Sequence, residues 1–139
     1  MLDKFVMKNS RPLYKKNHPV AKMILKIDNS LISPAIKKMA SLVASYSNPI
    51  TGTGSYPSQE TMAEDSGCHI RTIKRNCKAM RSYGLAIVSR RYAFNRISYC
   101  YDINIALILD LVERSKIIIR ERKEKQLMER RIKERAAYY

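Results

Sequence analysis

The sequence predicts a mainly helical α+β fold with a small β-hairpin and a long C-terminal helix. Ser33 and Ser58 stand where helix N-caps are favoured, and apolar residues follow each of them at helical spacing. Two β-rich runs, 85–88 and 97–103, flank a polar tip, which indicates a hairpin. Residues 113–139 hold ten Lys/Arg and five Glu without Pro or Gly. This composition predicts a long helix whose second half is mostly solvated.

The composition favours a folded protein with an anionic partner. The 139 residues, about one domain in length, carry 27 Lys+Arg against 12 Asp+Glu, a net charge of +15. Because 45% of the residues are hydrophobic, a disordered tail is excluded. Residues 66–101 contain eight Lys/Arg and no acidic residue. Such an excess of positive charge attracts nucleic acid, an anionic membrane or an acidic protein. No apolar run approaches the roughly 18 residues of a membrane span.

The three cysteines predict neither a disulfide framework nor a metal site. Cys68, Cys77 and Cys100 are odd in number, and Cys68-His69 with Cys77 lacks the paired spacing of a zinc site. Residues 1–17 are polar and lack the apolar core of a signal peptide. We therefore expect a cytoplasmic, reduced protein with no metal or other cofactor.

Three segments are expected along the chain. Residues 1–30 form a basic arm, in which the alternating apolar residues of 21–27 predict a short strand and 28–30 a turn. Residues 31–103 form the helical domain with its hairpin. Residues 104–139 form the charged C-terminal helix.

The first helix of the central segment is predicted to start after Ser33, with proline at its first position, and to run to about Ser47. Its apolar residues at helical spacing are Ile36, Met39, Ala40, Val43 and Tyr46. Residues 48–57 are predicted to form a loop. Its Gly52 and Gly54 are interpreted as turn residues, because no Gly-Lys-Ser/Thr of a phosphate-binding loop follows them.

Two short helices separated by a tight turn predict a helix-turn-helix. The first follows Ser58 and ends at Gly67, since glycine adopts the left-handed conformation without steric cost. Cys68 is expected to be a small, buried residue of the turn. The second helix covers 70–83. The residues expected to face inward are Met62, Ala63, Ile73, Cys77 and Met80.

Several stretches of this region resemble winged helix-turn-helix domains of phage and plasmid origin. They are PSQETMA at 57–63, Gly67, Arg71-Thr72-Ile73 and Tyr83-Gly84-Leu85. The similarity covers roughly residues 31–103, about half of the chain, and many such domains belong to replication-initiation or regulatory proteins. Two positions depart from the usual pattern. His69 stands where Ser or Thr normally caps the second helix, and Asn76 stands where a small apolar residue is common.

The resemblance implies that the second helix is a recognition helix whose N-terminal half enters the major groove of DNA. We expect Arg71 and Arg75 to contact bases, because an arginine can form two hydrogen bonds to guanine. Lys74 and His69 are the next candidates for base contact. The residues assigned to phosphates are Thr72, Lys78 and Arg81. Those assigned to the wing, which is the predicted hairpin, are Arg90, Arg91 and Arg96.

The C-terminal helix is expected to carry an apolar stripe made of Ile105, Ile108, Leu109, Val112 and Ile119. The stripe forms either the seam of a homodimer or another subunit contact, or it packs on the chain's own first helix. The heptad pattern fails at Ser115 and Arg122, so no sustained coiled coil is expected. The basic cluster within 130–135 is a candidate for non-specific phosphate binding. The N-terminal arm is either a DNA-following segment or a solvated one; its cations are Lys4, Lys8, Arg11, Lys15 and Lys16.

These features predict sequence-specific binding of double-stranded DNA by a transcriptional regulator or by a replication or partition factor of a phage or plasmid. The sequence shows no catalytic constellation, so an enzyme is not expected. One alternative is an interaction module that binds an acidic partner protein through the winged fold and the basic helix. A membrane-surface role for the C-terminal helix is disfavoured, because its charges surround the helix instead of segregating to one face.

Overall fold

The computed structural model describes residues 17–93 and 96–138, without the side chains of 91–93 and 96–98. The described residues form five helices and a two-stranded antiparallel sheet. In chain order they are α1 Pro19–Leu25, α2 Pro34–Ser45, α3 Gln59–Ser66, α4 Ile70–Ser82, β1 Ala86–Ala93, β2 Arg96–Ile103 and α5 Ile105–Tyr138. This arrangement confirms the predicted α+β winged helix-turn-helix fold with a long C-terminal helix. The predicted arm cations Lys4, Lys8, Arg11, Lys15 and Lys16 lie outside the described residues.

The predicted strand at 21–27 is wrong, because Pro19–Leu25 forms the helix α1. Leu25, which an alternating pattern would bury, is 50% exposed. The buried side chains instead follow a helical spacing; they are Val20, Ala21, Ile24 and Ile27. The apolar residues of this short segment fit both the two-residue period of a strand and the 3.6-residue period of a helix. Proline at the first helical position favours the helix.

His18 caps α1 and joins it to the end of α2. Its Nδ1 accepts a hydrogen bond from the Ala21 amide at 3.3 Å, so the ring proton lies on Nε2. Nε2 donates to the Ser47 carbonyl oxygen at 2.9 Å, and the histidine is only 1% exposed. The start of α1 therefore belongs to the core.

α2 begins as predicted after its N-cap Ser33 and ends at Ser45. The loop that follows adds a contact that the sequence did not predict, an isolated bridge between Ser55 and Tyr101 of β2. The Ser55 amide donates to the Tyr101 carbonyl at 3.1 Å, and the Tyr101 amide donates back at 2.6 Å. At Gly52, with φ of 70°, a Cβ atom would lie 3.0 Å from the Ile105 Cδ1. The loop is therefore held closely against the hairpin and the start of α5.

The two strands of the hairpin are longer than predicted. Their register runs from Ala86 opposite Ile103 to Ala93 opposite Arg96. The polar residues predicted for the tip therefore belong to the ladder, because the hydrogen bonds between strands are made by backbone groups and do not require apolar side chains. These polar residues are Arg90, Arg91 and Arg96, whereas Asn95 lies outside the described residues.

One apolar cluster joins elements from α1 to α5. Met62 of α3 and Ile73 of α4 are both fully buried in it, as is Ile24 of α1. Ile108 of α5 is equally buried. The position of α4, and hence the direction of its exposed face, is fixed by packing against several helices.

The buried face of α5 differs in part from the predicted apolar stripe. Ile108 and Val112 are buried and Ile105 is half-buried, so these three pack within the subunit. Leu109 and Ile119 are 48% and 41% exposed. The core side of α5 is completed instead by Leu111 and Ser115, which follow Ile108 at helical spacing. No helix in the described ranges is long and apolar enough to cross a membrane.

A polar clamp fixes α5 to the turn after α1. The Ser115 hydroxyl accepts a hydrogen bond from the Asp28 amide at 2.7 Å and donates to the Leu111 carbonyl at 2.7 Å. About two turns further along α5, Arg122 donates to both carboxylate oxygens of Asp28, at 2.7 and 3.0 Å. Hydrogen bonds from Ser30, followed by those from Arg122, lower the pKa of Asp28 from 3.8 to about 2.

We expect the clamp to make stability depend on pH in acid. Because the folded-state pKa of Asp28 lies below its unfolded value, its contribution is complete above about pH 4 and is lost as the pH falls towards about 2. The variant Asp28→Asn should have a lower urea midpoint than the wild type at neutral pH, and the difference should shrink across this window. A difference that is the same at both ends of the window would contradict the assignment.

Candidate nucleic-acid interface

The α3–α4 pair is organised by local signals at each helix end. The Ser58 hydroxyl accepts a hydrogen bond from the Thr61 amide at 3.0 Å and caps α3. Gly67 ends α3 in the left-handed conformation, with φ of 69°. A residue with a Cβ would meet no neighbour at this position but would be strained by the backbone alone. The turn between the helices is therefore set by glycine.

Cys68 is exposed, so the prediction of a buried turn cysteine is wrong. Its backbone amide is satisfied by the Ser66 hydroxyl at 3.2 Å. The turn closes through this contact and through the cap at residue 69, and it does not need a buried side chain.

His69 is the N-cap of α4 and performs the function of the Ser or Thr that is usual there. Its Nδ1 accepts a hydrogen bond from the Arg71 amide at 3.1 Å, and its backbone is extended. The imidazole is otherwise exposed at the N-terminal end of the helix. The residue therefore helps to orient Arg71, one of the predicted base-contacting residues.

The N-cap formed by His69 predicts how substitutions at this position change the stability of the protein. We expect His69→Ala to lower the free energy of unfolding by about 0.5–2 kcal/mol, because the Arg71 amide loses its acceptor. His69→Ser should recover most of the loss, since a serine hydroxyl fills the same role. Urea denaturation followed by circular dichroism measures both variants. Equal stability of the alanine and histidine proteins would show that the cap is not formed.

The inner face of α4 is made of the three predicted residues Ile73, Cys77 and Met80, all buried. Burial raises the pKa of the Cys77 thiol, and hydrogen bonding from the Tyr101 phenol and the charge of Arg81 offset part of this effect. Burial also raises the pKa of the Tyr101 phenol. Both groups are neutral near pH 7, and Cys77 is a packing residue without the thiolate needed for reactivity.

The outer face of α4 is cationic. Its five basic side chains are all exposed; they are Arg71, Lys74, Arg75, Lys78 and Arg81. Arg71, Arg75 and Lys78 follow one another at spacings of four and three, so they form a line on one side of the helix. The salt bridges found among residues 17–93 and 96–138 lie along α5 or join it to Asp28, and none uses an α4 cation.

Two polar residues of α4 lie on its flank and not on its outer face. Thr72 and Asn76 are half-buried and line a cleft of about 560 Å³ with residues of α1, α2 and α3. The other lining residues include Leu25, Met39, Leu42 and Ser45. Thr72 is therefore less accessible to a ligand on the outer face than the neighbouring Arg71.

The wing adds an exposed cation to the basic outer face of α4. The Arg90 side chain on β1 is exposed. Arg91 and Arg96 belong to the two strands, but their side chains lie outside the described residues.

Asn104 is a positioning residue that sequence reasoning missed. Its amide nitrogen Nδ2 donates to the Gly84 carbonyl at 3.2 Å, and its Oδ1 accepts from the Leu107 amide at 3.2 Å. It thus caps α5 and connects it to the turn between α4 and β1. Asparagine directly before an apolar helical pattern was the available signal. No group of three His, Cys, Asp or Glu residues able to hold a metal ion occurs in the described ranges.

The comparisons with known proteins agree with this geometry. Neither the curated proteins nor the solved structures contain a match to the chain. A family model described as a helix-turn-helix domain matches residues 41–86, about a third of the chain. The matched range runs from within α2 to the first residue of β1 and contains the whole of α3 and α4. The match supports a helix-turn-helix DNA-binding domain in this part of the protein.

Proposed function

We propose that the protein binds double-stranded DNA sequence-specifically, with α4 as its recognition helix. The observation that carries the proposal is the line of exposed cations Arg71, Arg75 and Lys78, on the helix that holds the recognition position of a helix-turn-helix. Their charges are not used in the described ion pairs. They are therefore available to an external polyanion.

The dimensions of α4 suit the major groove. Its 13 residues give a length of about 20 Å, and an α-helix fits into a groove about 12 Å wide. The packing of Ile73 and Met80 directs the opposite side of the helix to solvent. This exposed side is the one that carries the arginines.

We assign the DNA contacts of α4 to bases near its N-terminus and to phosphates near its C-terminus. Arg71 and Arg75 are assigned to bases, since each guanidinium can donate two hydrogen bonds to a guanine. Lys74 and His69 lie beside them near the N-terminal half. Lys78 and Arg81, closer to the C-terminus, are assigned to phosphates, with Thr72 from the flank. The wing arginines Arg90, Arg91 and Arg96 are assigned to the DNA backbone or the minor groove.

The biological role we propose is that of a transcriptional regulator, or of a replication or partition factor, carried by a phage or plasmid. This proposal rests on the resemblance of residues 57–85 to domains of that origin. Because its proposed ligand is duplex DNA, we propose that it acts in the cytoplasm. We also propose that it acts as a homodimer, which suits the exposed distal half of α5.

A mobility-shift titration at several salt concentrations tests the function. If the three wing arginines contact the backbone, they and Lys78 and Arg81 make five cations on phosphates, which give a slope of log K against log salt of about −4.5 for each subunit bound. We expect this steep dependence and a footprint on one preferred site chosen from a random duplex library. Binding that is absent would overturn the proposal, as would binding that is indifferent to salt. Capture of an acidic protein in place of DNA would favour the interaction-module alternative.

A further inference from the structure

The distal half of α5 extends away from the folded core. Every residue from 119 to 138 is exposed, and the contact that the described structure gives this stretch is the ion pair between Arg122 and Asp28. The apolar side chains Met128 and Ile132 are 61% and 64% exposed. Because most of the stability of a helix in a protein comes from tertiary packing of one face, a further packing partner would stabilise this stretch.

We infer that this part of α5 pairs in antiparallel orientation with the same helix of a second copy of the chain. The seam consists of Ile118, Glu121, Lys125, Met128 and Ile132, spaced alternately by three and four residues. Such spacing places the five on one line along the helix. Ile118 is half-buried and lies on the same side of the helix as the core residue Leu111, whereas the other four seam residues are exposed. The core residues Ile108, Val112 and Ser115 lie roughly a third of a turn from the line of these four at 100° per residue. A partner on the four exposed residues therefore does not compete with the core contact of Ile108, Val112 and Ser115.

The charges in the seam select the orientation. In a parallel pair each position meets its own copy, so Glu121 would face Glu121 and Lys125 would face Lys125. In an antiparallel pair centred on residue 123, Glu121 faces Lys125 of the second copy and Ile118 faces Met128. The antiparallel arrangement forms two symmetric ion pairs, whereas the parallel one forms two repulsive contacts.

This seam differs from the one that the sequence predicted. Ile108 and Val112 of the predicted seam are used inside the subunit, and Ile105 is half-buried there. Leu109 and Ile119 are exposed but lie off the line of the five seam residues. The helix contributes its proximal part to the core and its distal part to the second copy.

Antiparallel pairing sets the distance between the two folded regions. Leu111, at the centre of the core contact, lies 12 residues from the pairing centre, so the two regions are separated by about 36 Å along the helix axis. The separation of the two α4 helices, which would set the spacing of DNA half-sites, also depends on how each α4 is placed relative to α5. Any link to half-site spacing rests on the proposed function, but the pairing itself does not.

Sedimentation equilibrium of the full chain without DNA tests the pairing. We expect a dimer for the wild type, and a dissociation constant raised about tenfold or more by Glu121→Lys or by Lys125→Glu, because each brings like charges together. The double reversal should restore association. Glu134→Lys and Lys123→Glu make the same charge changes away from the seam and should have little effect. Met128→Ala should weaken the dimer more than Leu127→Ala.

A monomeric wild type at all concentrations would overturn the inference. Single reversals that associate like the wild type would also overturn it, since in a parallel pair each reversal replaces one like-charge contact with another. A double reversal as weak as the single ones would do the same. Because DNA is absent from the measurement, such a failure leaves the proposed DNA binding standing, and a failure to bind DNA leaves the pairing standing.

Discussion

Arg75→Ala is expected to lose sequence discrimination while keeping general affinity for DNA. If Arg75 contacts a guanine with two hydrogen bonds, its removal should cost about 1–3 kcal/mol, or roughly 5- to 150-fold, at the preferred site. Random-sequence duplex should be bound almost as before. Competition mobility-shift assays with the selected site and a scrambled duplex measure the ratio of the two affinities. Arg75→Lys keeps the charge but loses the planar guanidinium that donates two hydrogen bonds to one base. It should therefore lose nearly as much sequence discrimination as Arg75→Ala.

Lys78→Ala is expected to change DNA binding in a different way from Arg75→Ala. A phosphate contact carries no sequence information, so this variant should weaken binding to all duplexes alike and reduce the salt slope by about 0.9 for each subunit bound. Lys22→Ala removes the same charge from an exposed position on α1 instead of α4 and serves as the control. If Arg75→Ala and Lys78→Ala both behave like the control, the outer face of α4 is not the DNA-contacting face.

The second large effect is expected from Ile73→Ala. Ile73 is fully buried where α4 packs on the core, so its truncation should lower the free energy of unfolding by about 2–5 kcal/mol. Ile119→Ala removes the same atoms from a side chain that is 41% exposed and should stay within about 0.5 kcal/mol of the wild type. Urea denaturation followed by circular dichroism compares the two. Equal stability of the two variants would mean that α4 is not oriented with Ile73 inward.

The helix-turn-helix could be predicted from the sequence because its determinants are local. Serine at a cap, glycine at a helix end and an apolar stripe of period 3.6 can each be recognised within one segment. For the same reason the cationic face of α4 could be predicted, since it is the side opposite Ile73 and Met80. Even His69, which departs from the usual Ser or Thr, occupies the predicted capping position.

The features that sequence reasoning missed depend on contacts between distant segments. The alternation in 21–27 favoured a strand, but His18 caps a helix there and is held by Ser47, 29 residues away. The apolar stripe of α5 was misplaced in part because the core selects Leu111 and Ser115, and the latter depends on Asp28. A one-dimensional pattern shows which residues are apolar, but tertiary contacts decide which of them are buried.

The most direct test of the account is a solution NMR titration of the labelled protein with a duplex that contains the selected site. If the outer face of α4 enters the major groove, the largest changes in amide chemical shift should fall on residues 69–78. Smaller changes are expected at Arg81 and in the wing. Shifts confined to α5, with residues 69–78 unchanged in the presence of saturating duplex, would contradict the proposed interface.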